Sequence, residues 1–320
     1  MRATVLRGSR NIFTLRTTEG EELECRIKGK VLKGVEGFYN PLAPGDRVLV
    51  EKDPASGKGL ITGLEERRNL FTRMNQKGQD GGASGSGGRG GQDRGGASQL
   101  LAANVDLVLC VTAPASPPWR PRFLDRLILQ ADIAGIEPLI LCNKWEIAID
   151  PDIDERLEDY RRIGYEVLRV SVHTGWGIDA LRERLRGKLS VLAGQSGVGK
   201  SSLINALLGH DRLRVGALNE KYDRGNHTTS MSALLEFPDG AGGGLIDTPG
   251  IRRLLPDGVT GADLALYMRE FAPLTGTCSF GLSCSHKTEP GCKILEAVAA
   301  GVIHEDRYES FLRLKDELSG

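Results

Sequence analysis

The run Gly194-Gln195-Ser196-Gly197-Val198-Gly199-Lys200-Ser201-Ser202 has the composition of a phosphate cradle. Its glycines let main-chain N–H groups converge on an anion, and a helix opening at the lysine adds the partial positive charge of its N-terminus. In such a loop Lys200 reaches the β- and γ-phosphates of a nucleoside triphosphate, and the Ser201 hydroxyl ligates Mg²⁺. Some fifty residues on, Asp247-Thr248-Pro249-Gly250 follows a short apolar run. A carboxylate there can hold the same ion, and a glycine N–H can sense the γ-phosphate. A second chemistry stands near the C-terminus, where Cys278-x5-Cys284-x-His286-x5-Cys292 places four soft ligands within fifteen residues. Three thiolates and an imidazole fill a tetrahedron, the coordination of one structural zinc, and leave no open position for catalysis. Cys25, Cys110 and Cys142 stand singly and read as reduced core residues.

These groups need a scaffold. The phosphate loop requires a strand before it and a helix behind it, and 189–194 and 200–208 have those patterns. Around them, apolar runs at 105–112, 138–143, 167–172 and 244–250 alternate with helical spacing at 123–134, 152–163 and 178–185. Alternation of this kind predicts an α/β domain with a mostly parallel sheet covered by helices on both faces, over 99–255. Before it, residues 1–74 hold five short strand-like runs separated by turn signals, which predicts a small closed barrel of the OB type. That segment has fourteen Lys/Arg against ten Asp/Glu, a mild basic surplus that a solvated barrel surface also explains. Between the two, 75–98 carries ten glycines and no aliphatic residue larger than alanine, so it reads as a flexible linker or insertion. Residues 256–320 contain the cysteine cluster and two helical stretches, a helical zinc-binding domain. In the last helix, Arg307, Arg313 and Lys315 among Asp306, Glu309, Asp316 and Glu317 read as a solvated face of i,i+4 pairs.

Composition sets bounds on function. The 320 residues carry 42 Lys/Arg and 42 Asp/Glu, so the whole chain gives no pull toward a polyanion and any nucleic-acid patch must be local. No run of 18 apolar residues is present, and the first residues lack a secretory pattern. The expectation is a cytoplasmic protein, away from membranes, with nothing that points beyond a monomer.

Two further strand ends resemble the base-reading loops of GTPases. Asn143-Lys144-Trp145-Glu146 is similar to NKxD, in which the Asn contacts the guanine O6/N7 edge and the Lys stem covers a face of the ring. The carboxylate accepts from N1–H and the exocyclic amine, donors that adenine lacks there, so a carboxylate disfavours adenine. Glu146 keeps the acceptor with one more methylene than the usual Asp. Twenty-eight residues after Asn143, Ser171-Val172-His173-Thr174-Gly175 resembles SAxTG, a loop that backs guanine with a main-chain N–H. Both loops precede the phosphate loop, the reverse of the common order, so the sheet must be circularly permuted. The chain after Asp247 then runs straight into the metal-binding region, and loss of a γ-phosphate could pull on that region directly.

A barrel, a permuted GTPase domain and a Cys/His zinc region together resemble the ribosome small subunit-dependent GTPase A family. The likeness extends to Arg68-Asn69-Leu70 with Arg73, Ala103-Asn104-Val105-Asp106 and Arg224-Gly225-Asn226-His227-Thr228-Thr229. It implies a GTP hydrolase acting late in small-subunit maturation, stimulated by that subunit, with the barrel and zinc domain on ribosomal RNA. Ile251 stands where Ras-like enzymes have a water-orienting Gln, and Ile cannot polarise water. His227 is the substitute that the likeness supports as a catalytic group, and a hydroxyl of Thr228 or Thr229 would reach Mg²⁺. Two rival readings are a permuted GTPase of the large subunit and a non-hydrolysing RNA-binding module that holds nucleotide as a structural ligand.

Overall fold

Alternating burial builds the N-terminal unit. A computed structural model describes residues 1–9, 12–29, 32, 41–53, 57–73, 99–147, 150–209, 232–238, 240, 242–248, 256 and 258–319. In β1 (Arg2–Ser9), β2 (Ile12–Thr17), β3 (Glu22–Ile27), β4 (Arg47–Lys52) and β5 (Gly59–Leu64), side chains turn inward at every second position, most regularly in β2 and β3. Strands with one wet face close on one another through the other. Here they form a closed barrel in the order β1-β2-β3-β5-β4 around Val5, Phe13, Leu15, Cys25, Val48 and Ile61. The five strand-like runs of the sequence are thus the five staves of the barrel. Two further strands, β6 (Leu70–Arg73) and β7 (Gln99–Ala103), pair antiparallel on either side of the glycine-rich segment, which lies outside the described residues.

Charge fixes the exit from the barrel. The Asp46 carboxylate, fully buried, accepts from Arg67 Nε at 2.7 Å and Nη2 at 2.8 Å and from the Ala43 N–H at 2.8 Å. Asn104 Nδ2 donates to Gly45 O at 2.9 Å, while its Oδ1 accepts from the Arg68 N–H at 2.9 Å. The β6–β7 ribbon is anchored by these bonds, and the first compact unit takes in Met1–Asn104.

The second unit is the α/β domain with the C-terminal region. The six-stranded sheet is made of β8 (Leu107–Thr112), β9 (Glu137–Cys142), β10 (Glu166–Arg169), β11 (Leu189–Gly194), β12 (Ala233–Glu236) and β13 (Gly244–Asp247). All six side chains of β8 are buried, as a strand covered on both faces requires. The sheet order is β10-β9-β8-β11-β13-β12, with parallel pairing from β10 through β13. The strand carrying the phosphate loop therefore lies between β8, which comes earlier in the chain with the base-reading strands β9 and β10 beyond it, and β13, which comes later, and this is the permutation read from motif order. The helices are α1 (Pro121–Ile133), α2 (Pro151–Arg162), α3 (Ile178–Leu185) and α4 (Lys200–Leu208). Asp150 caps α2 by accepting from the Asp152 N–H, with proline at the first turn. Among the described residues, no helix is long and apolar enough to cross a membrane.

Three short 3-10 turns lead to α5 (Lys293–Ala299) and α6 (Glu305–Ser319). Their core gathers Leu264, Met268, Phe271, Phe311 and Leu314 with the three clustered cysteines, and Leu129 of α1 joins it. One expectation fails here. Arg307 is not on a solvated face: it is 3% exposed and reaches Asp125 Oδ1 at 2.7 Å and Glu270 Oε1 at 2.6 Å. Asp125, 1% exposed on α1, also accepts from Tyr160 Oη and Ser310 Oγ. The i,i+4 pattern masked this because the partners lie more than 30 residues away in the chain. Removing one member of a buried ion pair strands the other's charge, so Asp125→Ala is expected to lower stability by about 3–5 kcal/mol. Urea unfolding with an unchanged midpoint would contradict it.

Candidate functional site

The parallel registers bring the C-terminal ends of the strands to one edge. Thr112 pairs with Cys142, Arg169 with Cys142, Gly194 with Val111, and Asp247 with Leu192. Ligands bind open α/β sheets at this edge, and every nucleotide motif within the described residues leaves from it.

Asn143 joins three loops. It is 2% exposed, its N–H donates to Thr112 O, its Nδ2 donates to Val198 O at 2.9 Å, and its Oδ1 accepts from the Val172 N–H at 3.3 Å. One amide side chain thereby connects the base-reading loop, the SVHTG loop and the phosphate loop. Gly199 makes this approach possible. Its φ of +93° suits glycine, and a Cβ there would lie 2.4 Å from Asn143 Nδ2. Gly194 is equally constrained, since a Cβ would meet Val111 O at 2.4 Å across the β8–β11 pair.

Lys200 opens α4 and folds back along the loop, donating to Gly194 O at 2.8 Å and Gln195 O at 2.7 Å. Burial pushes its ammonium below the ordinary lysine value, opposed in part by Asp247. Asp247 is 8% exposed at the end of β13, and burial raises its carboxyl although Lys200 works against the rise. Thr248 Oγ1 bonds Leu192 O at 2.8 Å and ties the segment to β11. Both charges of this pair are held against the preference of their surroundings. A group whose folded pKa lies above its ordinary value loses stability as pH rises between the two. Asp247→Asn is therefore expected to raise the melting temperature of the nucleotide-free protein at neutral pH, by about 2–4 °C for each kcal/mol recovered. The gain should vanish below the ordinary carboxylate range, and a melting temperature that falls at pH 7 would contradict the sign.

Glu146 is exposed beside the SVHTG loop, and the Ser171 hydroxyl holds its carboxyl below the usual carboxylate range, with His173 and Lys144 adding to the effect. Ser171 is itself buried, accepting from the Thr174 N–H at 3.0 Å while its own N–H donates to Trp176 O at 2.9 Å. Lys144 Nζ donates to Ser116 O. Asn143, Lys144, Glu146, Ser171, Val172, the Gly194–Ser202 run and Asp247 thus gather at one edge. His227, Thr228, Thr229, Gly250 and Ile251 lie outside the described residues. Sequence reading missed the loop at 113–120, which carries Ser116 and fits no nucleotide motif; its one signal was three prolines within five residues.

At the second site, Cys278, Cys284, His286 and Cys292 are all buried and their ligand atoms lie within 4.8 Å of one another. Cys278 Sγ is 3.8 Å from Cys292 Sγ and 3.7 Å from His286 Nδ1, which is 3.4 Å from Cys292 Sγ. Tetrahedral zinc bonds of ordinary length place two sulfurs about 3.8 Å apart and sulfur and nitrogen about 3.6 Å apart. The cluster has the dimensions of a closed Cys₃His metal site. Burial works against a thiolate at Cys278, yet the Lys293 N–H, the Cys284 and Cys292 thiols and the Ile294 N–H leave its pKa below the ordinary value, while burial pushes Cys284 up to about 12. Among the described residues, the single cysteines have no such thiol cluster around them. Burial pushes Cys25 up to about 11 and Cys142 up to about 12, and raises Cys110 further. Those thiols are inert.

Residues 89–255 match the family model described as RsgA GTPase. The chain belongs to the RsgA GTPase family. It is 36% identical over 309 residues to the small ribosomal subunit biogenesis GTPase RsgA of Chlorobaculum parvum, covering 96% of this chain and 94% of that one. Its identity to the protein of the same name from Moorella thermoacetica is 37% over 318 residues, with 99% and 97% covered. The crystal structure of YjeQ from Thermotoga maritima superposes with a TM-score of 0.73 at 30% identity, covering 99% of this chain and 98% of the other. YloQ, a circularly permuted GTPase, shares the fold with a TM-score of 0.69 at 22% identity, covering 99% and 94%. As an RsgA-family member the chain is a GTPase: it binds GTP and GDP and hydrolyses GTP, in a permuted domain flanked by a barrel and a metal-binding cluster.

Proposed function

We propose that this GTPase binds the small ribosomal subunit, assists its late maturation and leaves when GTP is hydrolysed. The observation that carries the reading is likeness over 96% of the chain to relatives named for small-subunit biogenesis, in a chain whose barrel and Cys₃His region accompany the GTPase domain. Barrel and metal region would contact ribosomal RNA. Small barrels are apt for oligonucleotides, and zinc gives a short segment a rigid surface.

In the nucleotide site, Asn143, Lys144 and Glu146 read guanine, backed by Ser171 and the Val172 N–H. The Gly194–Ser202 loop cradles the phosphates. Supporting this, the base-reading amide bonds Val198 of the cradle at 2.9 Å. The penalties on Lys200 and Asp247 fit a site whose partners arrive with the ligand: phosphate charge for the ammonium and a cation for the carboxylate. Mg²⁺ would be held by Ser201 and Asp247 with Thr229 or its neighbour Thr228, where it supplies charge neutralisation on the phosphates. The Gly250 N–H would sense the γ-phosphate. His227 orients or deprotonates the attacking water. His227→Ala should lower subunit-stimulated turnover on the order of 10²-fold or more while leaving GDP affinity unchanged; retained stimulated turnover removes the role.

The experiment for the whole reading is steady-state GTP and ATP hydrolysis with purified small and large ribosomal subunits. Acceleration of GTP hydrolysis by the small subunit alone is expected. Acceleration by the large subunit, or by neither, contradicts it.

A further inference from the structure

Lys144 must be held in place before it can cover a base, and nothing in its own motif does so. Its backbone φ is +63°, a left-handed conformation unusual for lysine, and a long flexible side chain loses much rotamer freedom when fixed. The side chain leaves its own loop, passes the phosphate loop at a position 4.0 Å from where a Cβ on Gly199 would stand, and donates Nζ to Ser116 O. Ser116 belongs to the β8–α1 loop at 113–120. The next residue, Pro117, packs its Cδ 3.6 Å from the Cβ position of Gly197. Three loops, 113–120, 143–146 and 194–200, therefore meet around one lysine.

We infer that the main-chain carbonyl of Ser116 is a positioning group for Lys144, and that the 113–120 loop is a further wall of the guanine-nucleotide site outside its recognised motifs. The inference rests on the reading of Lys144 as a base-covering residue. Binding is tighter when a flexible group is ordered beforehand, because that ordering is no longer charged to the binding step. The carbonyl belongs to the backbone, so its place is set by conformation. Ser116 has a φ of +51°. Glycine adopts that region freely, while a β-branched residue resists it strongly.

The test is calorimetric binding of GDP and GTP to the full, metal-replete chain. Ser116→Val should weaken both nucleotides about tenfold, the size of one lost hydrogen bond. Ser116→Gly, which keeps the carbonyl and the left-handed backbone, should bind like the unaltered protein, whereas the strain in Ser116→Val also lowers its melting temperature. In a Lys144→Met background the Ser116→Val effect should shrink below about twofold, because its route is gone. Should Ser116→Val fail to fold, Pro117→Gly gives the same comparison by loosening the loop beside Gly197. If Lys144→Met weakens binding but the loop variants do not, or if the two effects simply add, the positioning role is overturned while the base pocket stands. If Lys144→Met itself changes nothing, the base-pocket reading falls and takes this inference with it.

Discussion

Lys200→Met is expected to abolish measurable GTP hydrolysis, with kcat falling by at least about 10²–10³-fold, the loss seen when one preorganised charge on a developing anion is removed. Lys200 opens α4 behind a loop whose carbonyls already hold its Nζ, so the ammonium is in place before substrate arrives. Burial disfavours its charge, and Asp247 compensates only in part. A triphosphate brings the missing anionic partner, and GTP should be weakened more than GDP because the γ-phosphate depends most on the lysine. Met preserves the stem and removes a disfavoured buried charge, so the melting temperature should stay within about 2–4 °C. Single-turnover hydrolysis and thermal unfolding check both halves. Activity within tenfold of the unaltered enzyme would contradict the role.

The second large effect is at the metal cluster. Cys292→Ser is expected to reduce zinc content from about one per chain to near none and to abolish cooperative folding of 258–319. Zinc binding at structural sites has an apparent strength of about 10–16 kcal/mol near neutral pH, comparable with the whole stability of a domain. Cys292 is 1% exposed, and the three clustered cysteines pack in the same core as Phe271, Ile294 and Phe311. Losing the ion therefore also exposes the region's apolar residues. A strong chelator on the unaltered protein should act likewise. GDP binding should persist, since the Asn143 side chain bonds both Val172 and Val198 at the sheet edge. Elemental analysis and limited proteolysis decide it: zinc-free protein with a protease-resistant C-terminal region would contradict the account.

The cradle and the metal cluster were legible because their chemistry is local. Glycines at 194, 197 and 199 and a lysine at 200 lie within seven positions, and four metal ligands fit in fifteen residues. The barrel was legible through alternation, as in β2 and β3. What escaped was long-range. Arg307 looked like a surface residue because Asp125 and Glu270, which bury it, stand 182 and 37 positions away. The carbonyl of Ser116 has no residue-type signature, since every residue owns one. Pairing of Leu70–Arg73 with Gln99–Ala103 spans a glycine-rich stretch that hides any continuity between them.

The central claim is that base-reading loops early in the chain and a phosphate loop later in it form one guanine-nucleotide site. Isothermal titration of the metal-replete protein with GDP and ADP, Mg²⁺ present, tests it most directly. The account predicts saturable one-to-one binding of GDP and at least about 10²-fold weaker binding of ADP, with Asn143→Ala abolishing that preference. Equal affinity for the two nucleotides, or no heat from either, would contradict it.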